Sequence, residues 1–148
     1  MKRVLILALI LLLSACGPFA APDSDTSLSN PSAAAVLDRF QLVGLPVGPS
    51  RALSTEELKL FSAHPIEALE FQVAGLCDGC LGRVYLFSSV QDMETTLAHE
   101  QQTPSLGQGG FSWLFPNGKV LVLLEGRVPA DWAEQYREAL DSLAWRGD

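Results

Sequence analysis

The apolar residues of this chain change period along its length, and that change constrains the fold more than any other feature. Val36, Leu37, Phe40 and Val43 recur at helical spacing. From Ile66 the period becomes two. Leu69, Phe71 and Val73 alternate with Glu70, Gln72 and Ala74, as in a strand with one face buried. Arg83 to Phe87 reads as a second strand. Ser88 or Ser89 then caps a helix whose apolar stripe is Val90, Met93 and Leu97. Phe111, Trp113 and Phe115 alternate on a third strand. Asn117-Gly118 predicts a type I′ hairpin turn, whose two central residues both need φ > 0, and Val120 to Leu124 forms a fourth strand. Pro129 opens a last helix with Trp132, Tyr136, Leu140 and Leu143 on one face. The order is one helix, then strand-strand-helix twice. It predicts an α+β fold: a four-stranded antiparallel sheet with helices mainly on one face.

Local punctuation supports the same division. Asn30-Pro31 supplies an N-cap and a first-turn proline for the first helix, which Gly44 and Pro46 stop. Ser54 and Glu57 have capping-box spacing for a short helix to about Phe61, closed by His64-Pro65. Gly75 to Gly82 is a turn, and Gln101 to Gly110 a polar, Gly-rich loop. A single α+β domain is therefore expected over residues 30–148.

The last hairpin is apolar on both faces. Leu114, Leu121 and Leu123 lie opposite Phe111, Trp113, Phe115, Val120, Val122 and Leu124 in the alternation. With helices on one face, the three leucines need the N-terminal helix, a protein partner or a second copy to cover them. They are the candidate partner surface.

The N-terminus carries a targeting signal. Lys2 and Arg3 precede an unbroken apolar run from Val4 to Leu13, too short for an ordinary transmembrane helix and right for a secretory signal. Leu13-Ser14-Ala15-Cys16 then reads as a lipobox: small residues before a thiol that receives the lipid. Residues 1–15 are expected to be removed, leaving acylated Cys16. Two or more acyl chains anchor durably where one binds only marginally. Residues 16–29, rich in Pro, Ser, Ala and Asp, read as a flexible tether. The expected location is the cell membrane or outer membrane, with the domain outside the cytoplasm. Gly17, standing where an Asp marks inner-membrane retention in some two-membrane bacteria, favours the outer membrane where the envelope has one.

Charge narrows the partners. The chain has 10 Lys+Arg and 17 Asp+Glu. Loss of Lys2 and Arg3 leaves 8 against 17, a net −9 with His neutral. Such a chain has no general attraction for nucleic acid or anionic lipid, so attachment must come through the covalent lipid.

Of three cysteines, the anchor claims Cys16, leaving Cys77 and Cys80. Cys77-x-x-Cys80 has three readings: a disulfide that staples the turn, a thiol redox motif, or half a metal site. An exporting compartment permits the staple. A redox pair normally sets its first thiol at a helix N-terminus, whereas both flanks here read as strands and Asp78 between the thiols disfavours a thiolate. A zinc site needs about four ligands, and beyond these thiols the chain offers only His64 and His99, both expected on the surface. No G-x-S-x-G, phosphate-binding glycine loop or H-E-x-x-H is present, and the carboxylates read as solvating groups. The expectation is a non-enzymatic module with no metal or cofactor.

The stretches VLDRFQLVGLPVGP, GRVYLFSSVQDMETTL and FSWLFPNGKVLVLLEGRV resemble a group of small, uncharacterised bacterial lipoproteins. The similarity spans most of residues 33–145 and lies in apolar pattern and turn residues. It implies a lipoprotein and supplies no catalytic residues. Cys77-Asp78-Gly79-Cys80 departs from the plain glycine turn expected there. The function read from the sequence is a lipid-anchored envelope protein that binds or scaffolds. The alternative is an envelope thiol–disulfide protein using Cys77 and Cys80.

Overall fold

The computed structural model describes residues 32–58, 63–102 and 110–143. The lipobox, the tether, Asn30-Pro31 and most of the Gly-rich loop lie outside them.

Helix α1 (Ala33–Leu42) is capped by Ser32, in extended conformation, whose Oγ accepts from the Ala35 N–H at 3.1 Å. Glu67 supplies a second cap from across the fold: its Oε2 accepts from the Ala33 N–H at 3.0 Å. Gly44, at φ 82, ends the helix in a Schellman motif. Its N–H goes to the Gln41 carbonyl, and the Leu45 N–H to that of Phe40. Val43, expected on the buried stripe, becomes the exposed C-cap because the helix stops at Leu42.

Five antiparallel strands form one sheet in the order β1-β2-β3-β5-β4: β1 (Ser50–Ala52), β2 (Glu67–Gln72), β3 (Leu81–Leu86), β4 (Phe111–Asn117) and β5 (Val120–Glu125). The expected sheet had four. Strand β1 is three exposed residues without apolar alternation, and only its pairing with β2 makes it a strand. The capping box is present before α2 (Thr55–Leu58). Glu57 Oε2 accepts from the Ser54 N–H at 2.8 Å, and Ser54 Oγ from the Glu57 N–H at 3.3 Å. Helix α3 (Val90–Gln102) starts where Ser89 Oγ accepts from the Asp92 N–H. Helix α4 (Ala130–Asp141) follows Pro129.

The β4–β5 turn differs from expectation. Asn117 pairs with Val120, so the two loop residues are Gly118 and Lys119. Gly118 has φ 57, while no residue other than glycine has positive φ among the described residues. That is the arrangement of a II′ turn, which needs glycine only at its first position. Asn117 is free for another task. Its Nδ2 donates to the Leu140 carbonyl at 2.7 Å and holds the end of α4.

Helices cover both faces of the sheet, not mainly one. On the first face, Phe71, Val84, Val122 and Leu124 pack against Phe40 of α1 and Tyr136 and Leu140 of α4. Phe40 meets Tyr136 edge-on with centroids 5.0 Å apart. Gly82, paired with Phe71, lets the Phe71 ring lie over it; a Cβ there would sit 2.3 Å from the ring. On the second face, Tyr85, Leu121 and Leu123 pack with Leu53, Phe87 and Met93, and with the half-buried Leu58, Leu97 and Leu114. The second cluster corrects the partner-surface expectation. Leu121 and Leu123 are buried inside the protein, and Leu114 joins them. With α1 and α4 on the first face, Met93 and Leu97 of α3 find their burial on the second, while Val90, expected on the same stripe, stays exposed.

Candidate functional site

The antiparallel register gathers the β2–β3 loop, the segment before β1 and the link from β5 to α4 at one end of the sheet. The Gly48 N–H donates to the Gln72 carbonyl at 2.8 Å, and Arg127 reaches the loop from the β5–α4 link. The loop itself, Val73 to Cys80, is closed by a hydrogen bond from the Val73 N–H to the Cys80 carbonyl. Gly75 and Gly79 take positive φ in it. Cys77 and Cys80 form a disulfide, with sulfurs 1.91 Å apart and Cα atoms 5.5 Å apart. Together with its flanking residues the loop surrounds an open cavity of about 430 Å³.

The two sulfurs differ in environment. Cys80 is 1% exposed and belongs to the first core, while Cys77 is half-buried at its margin. A thiolate from solvent would have to attack Cys77 and expel Cys80 as a thiolate into apolar surroundings. Burial disfavours that leaving group. Neither cysteine starts a helix, since β2 and β3 flank the loop. The chemistry that this arrangement serves best is a fixed cross-link.

Arg127 ties the loop to the sheet. Its Nη1 donates to the Asp78 carbonyl at 2.9 Å, and its Nη2 to Glu125 Oε2 at 2.6 Å. Glu125 is buried, so the half-exposed guanidinium is its partner at the sheet end. Neither histidine joins the cysteines: His64 precedes β2 and His99 is in α3, both exposed. Among the described residues, no group of three His, Cys, Asp or Glu side chains could hold a metal ion.

A second polar constellation was not foreseen. Glu70, in the alternation that read as a solvated face, is 7% exposed and lies between two arginines across the strands. Its Oε1 accepts from Arg51 Nη2 at 2.7 Å, and its Oε2 from Arg83 Nε at 2.9 Å. Arg51 also forks onto Glu57, whose carboxyl is drawn down to about 2 by the Arg51 hydrogen bonds and the Ser54 N–H and hydroxyl. Arg83 lies 4.6 Å from the centroid of the Phe111 ring. Burial pushes the neighbouring Tyr85 hydroxyl up to about 12. The only trace in the sequence is an acidic residue flanked in register by Arg51 and Arg83, visible once the pairing is known. Each carboxylate oxygen is engaged by a guanidinium, so the group is built to fix strands rather than to move protons.

Cys16 lies outside the described residues, and no described helix is long and apolar enough to cross a membrane. No protein family, curated protein or solved structure is matched by this chain.

Proposed function

We propose that this protein is a lipid-anchored module of the bacterial cell envelope that works by binding or scaffolding outside the cytoplasm. Leu13-Ser14-Ala15-Cys16, behind a basic start and a short apolar run, carries this reading. The acidic balance suits a protein attached by covalent lipid rather than by a basic patch. The Cys77–Cys80 bond suits an oxidising compartment. The binding surface proposed is the loop-bearing end of the sheet, where an open cavity and the Arg127 cross-tie sit on a rigid base.

Mass spectrometry of the mature N-terminus tests the anchor. Diacylated or triacylated Cys16 is expected, and Cys16→Ser should leave the membrane fraction. An unmodified Cys16, or cleavage at another position, removes the reading.

The half-exposed Cys77 favours one alternative, an envelope thiol–disulfide protein. Equilibration in glutathione buffers separates the two. A staple with buried Cys80 should stay oxidised, with a potential below about −300 mV, whereas an exchange protein should titrate near −200 mV.

A further inference from the structure

We propose that the end of the domain opposite the Cys77–Cys80 loop rests on the bilayer surface, through Ile66, Val90 and Lys119. The proposal rests on the reading of Cys16 as the lipid-bearing residue. The start of α1 fixes where the anchored segment joins the domain. The Ala33 N–H is bonded to Glu67, the first residue of β2, so residue 32 enters beside the beginning of that strand. Two backbone hydrogen bonds set the neighbours of this entry point. The Ile66 N–H donates to the Leu86 carbonyl at 2.8 Å, and the Phe87 N–H to the Lys119 carbonyl at 2.9 Å. Ile66, the exit of β3 and the β4–β5 turn therefore lie side by side, and Val90 opens α3 directly after that exit.

This end carries apolar side chains that the fold leaves uncovered. Ile66 is 66% exposed and Val90 43%, though each adjoins a buried core element. Lys119 and His64 are exposed there. The carboxylates of the same end meet neutral donors, Glu67 the Ala33 N–H and Asp92 the hydroxyls of Ser88 and Ser89, and Asp141 lies there beside Arg137, so the apolar side chains rather than the charges carry the contact. Residues 16–31 span at most about 55 Å when fully extended, and they meet the domain at this end. Leu42 and Val43, 73% and 45% exposed, form the rival apolar contact. They lie at the far end of α1, about 15 Å along the helix from the point of entry.

The test uses the full lipidated chain in vesicles of phosphatidylethanolamine and phosphatidylglycerol. Single fluorophores are placed on Ile66→Cys, Val90→Cys, Leu42→Cys and Ala74→Cys, with Cys77 and Cys80 left oxidised. Flotation is recorded together with quenching by aqueous iodide. Labels at 66 and 90 should be quenched about threefold less than those at 42 and 74, as expected for side chains that dip into the headgroup region. Floating protein with equal quenching at all four sites, or with 42 or 74 shielded instead, overturns the orientation and leaves the anchor standing. Protein that does not float removes the anchor reading and this proposal with it. Shielding at 66 that persists in the Cys16→Ser chain without vesicles, and grows with protein concentration, assigns the surface to a second copy and overturns the bilayer contact.

Discussion

Glu70 stands between Arg51 and Arg83 on a sheet face that α3 closes off. Glu70→Gln keeps the shape of the side chain and removes its charge, leaving the half-buried Arg83 without its counter-ion. The loss of stability should be about 2 kcal/mol by urea denaturation, below the roughly 3–5 kcal/mol of a fully buried pair because solvent screens the exposed Arg51. Thr96 gives the opposite sign. Its hydroxyl is buried on α3 with no hydrogen-bond partner among the described residues. Thr96→Val replaces an unsatisfied oxygen with a methyl of similar size and should raise stability by about 1 kcal/mol in the same measurement.

At the scale of single elements, two glycines separate two kinds of constraint. Gly44 ends α1 at φ 82 with open space around its Cα. Gly44→Ala therefore meets only backbone strain and should cost about 1 kcal/mol. Gly82 has an ordinary φ but lies beneath the Phe71 ring and beside Leu124. Gly82→Ala must displace a packed aromatic ring, so it should cost more, about 3 kcal/mol. Thermal denaturation of the two variants checks the order; an equal loss would mean that the ring moves aside freely. Asn117 shows the same division of labour. Its sequence context signals a turn, yet its amide is used to hold α4.

For the whole molecule, pH should act from both sides. Glu57 is lowered to about 2 by Arg51 and Ser54, Asp92 is lowered by the hydroxyls of Ser88 and Ser89, and Glu134 by Arg137. A carboxyl lowered in the folded state adds stability above its ordinary value, about 4.5 for Glu and 3.8 for Asp, and that stability is lost as pH falls through the folded value. The urea midpoint should therefore drop between about pH 4.5 and 2, and less steeply in Glu57→Gln. Tyr85 and Tyr136 are raised by burial, Tyr85 to about 12. The unfolded chain ionises first above about pH 10, so the midpoint should fall again from there. A midpoint unchanged between pH 4.5 and 2 would contradict the Arg51–Glu57 contact.

The period of the apolar residues was enough to determine two strand-strand-helix units and the leading helix, because burial on one side imprints itself directly on residue spacing. The capping box at Ser54 and Glu57 was legible for the same local reason. The first 16 residues alone suggest an anchor. Tertiary structure decided what depends on partners distant in sequence. Strand β1 exists only through β2. Helix α3 takes the second face because α1 and α4 occupy the first, and that choice buries Leu121 and Leu123 and turns Glu70 from a solvated residue into the centre of an ion network. Spacing records which side of an element is apolar; only packing determines which element lies against it.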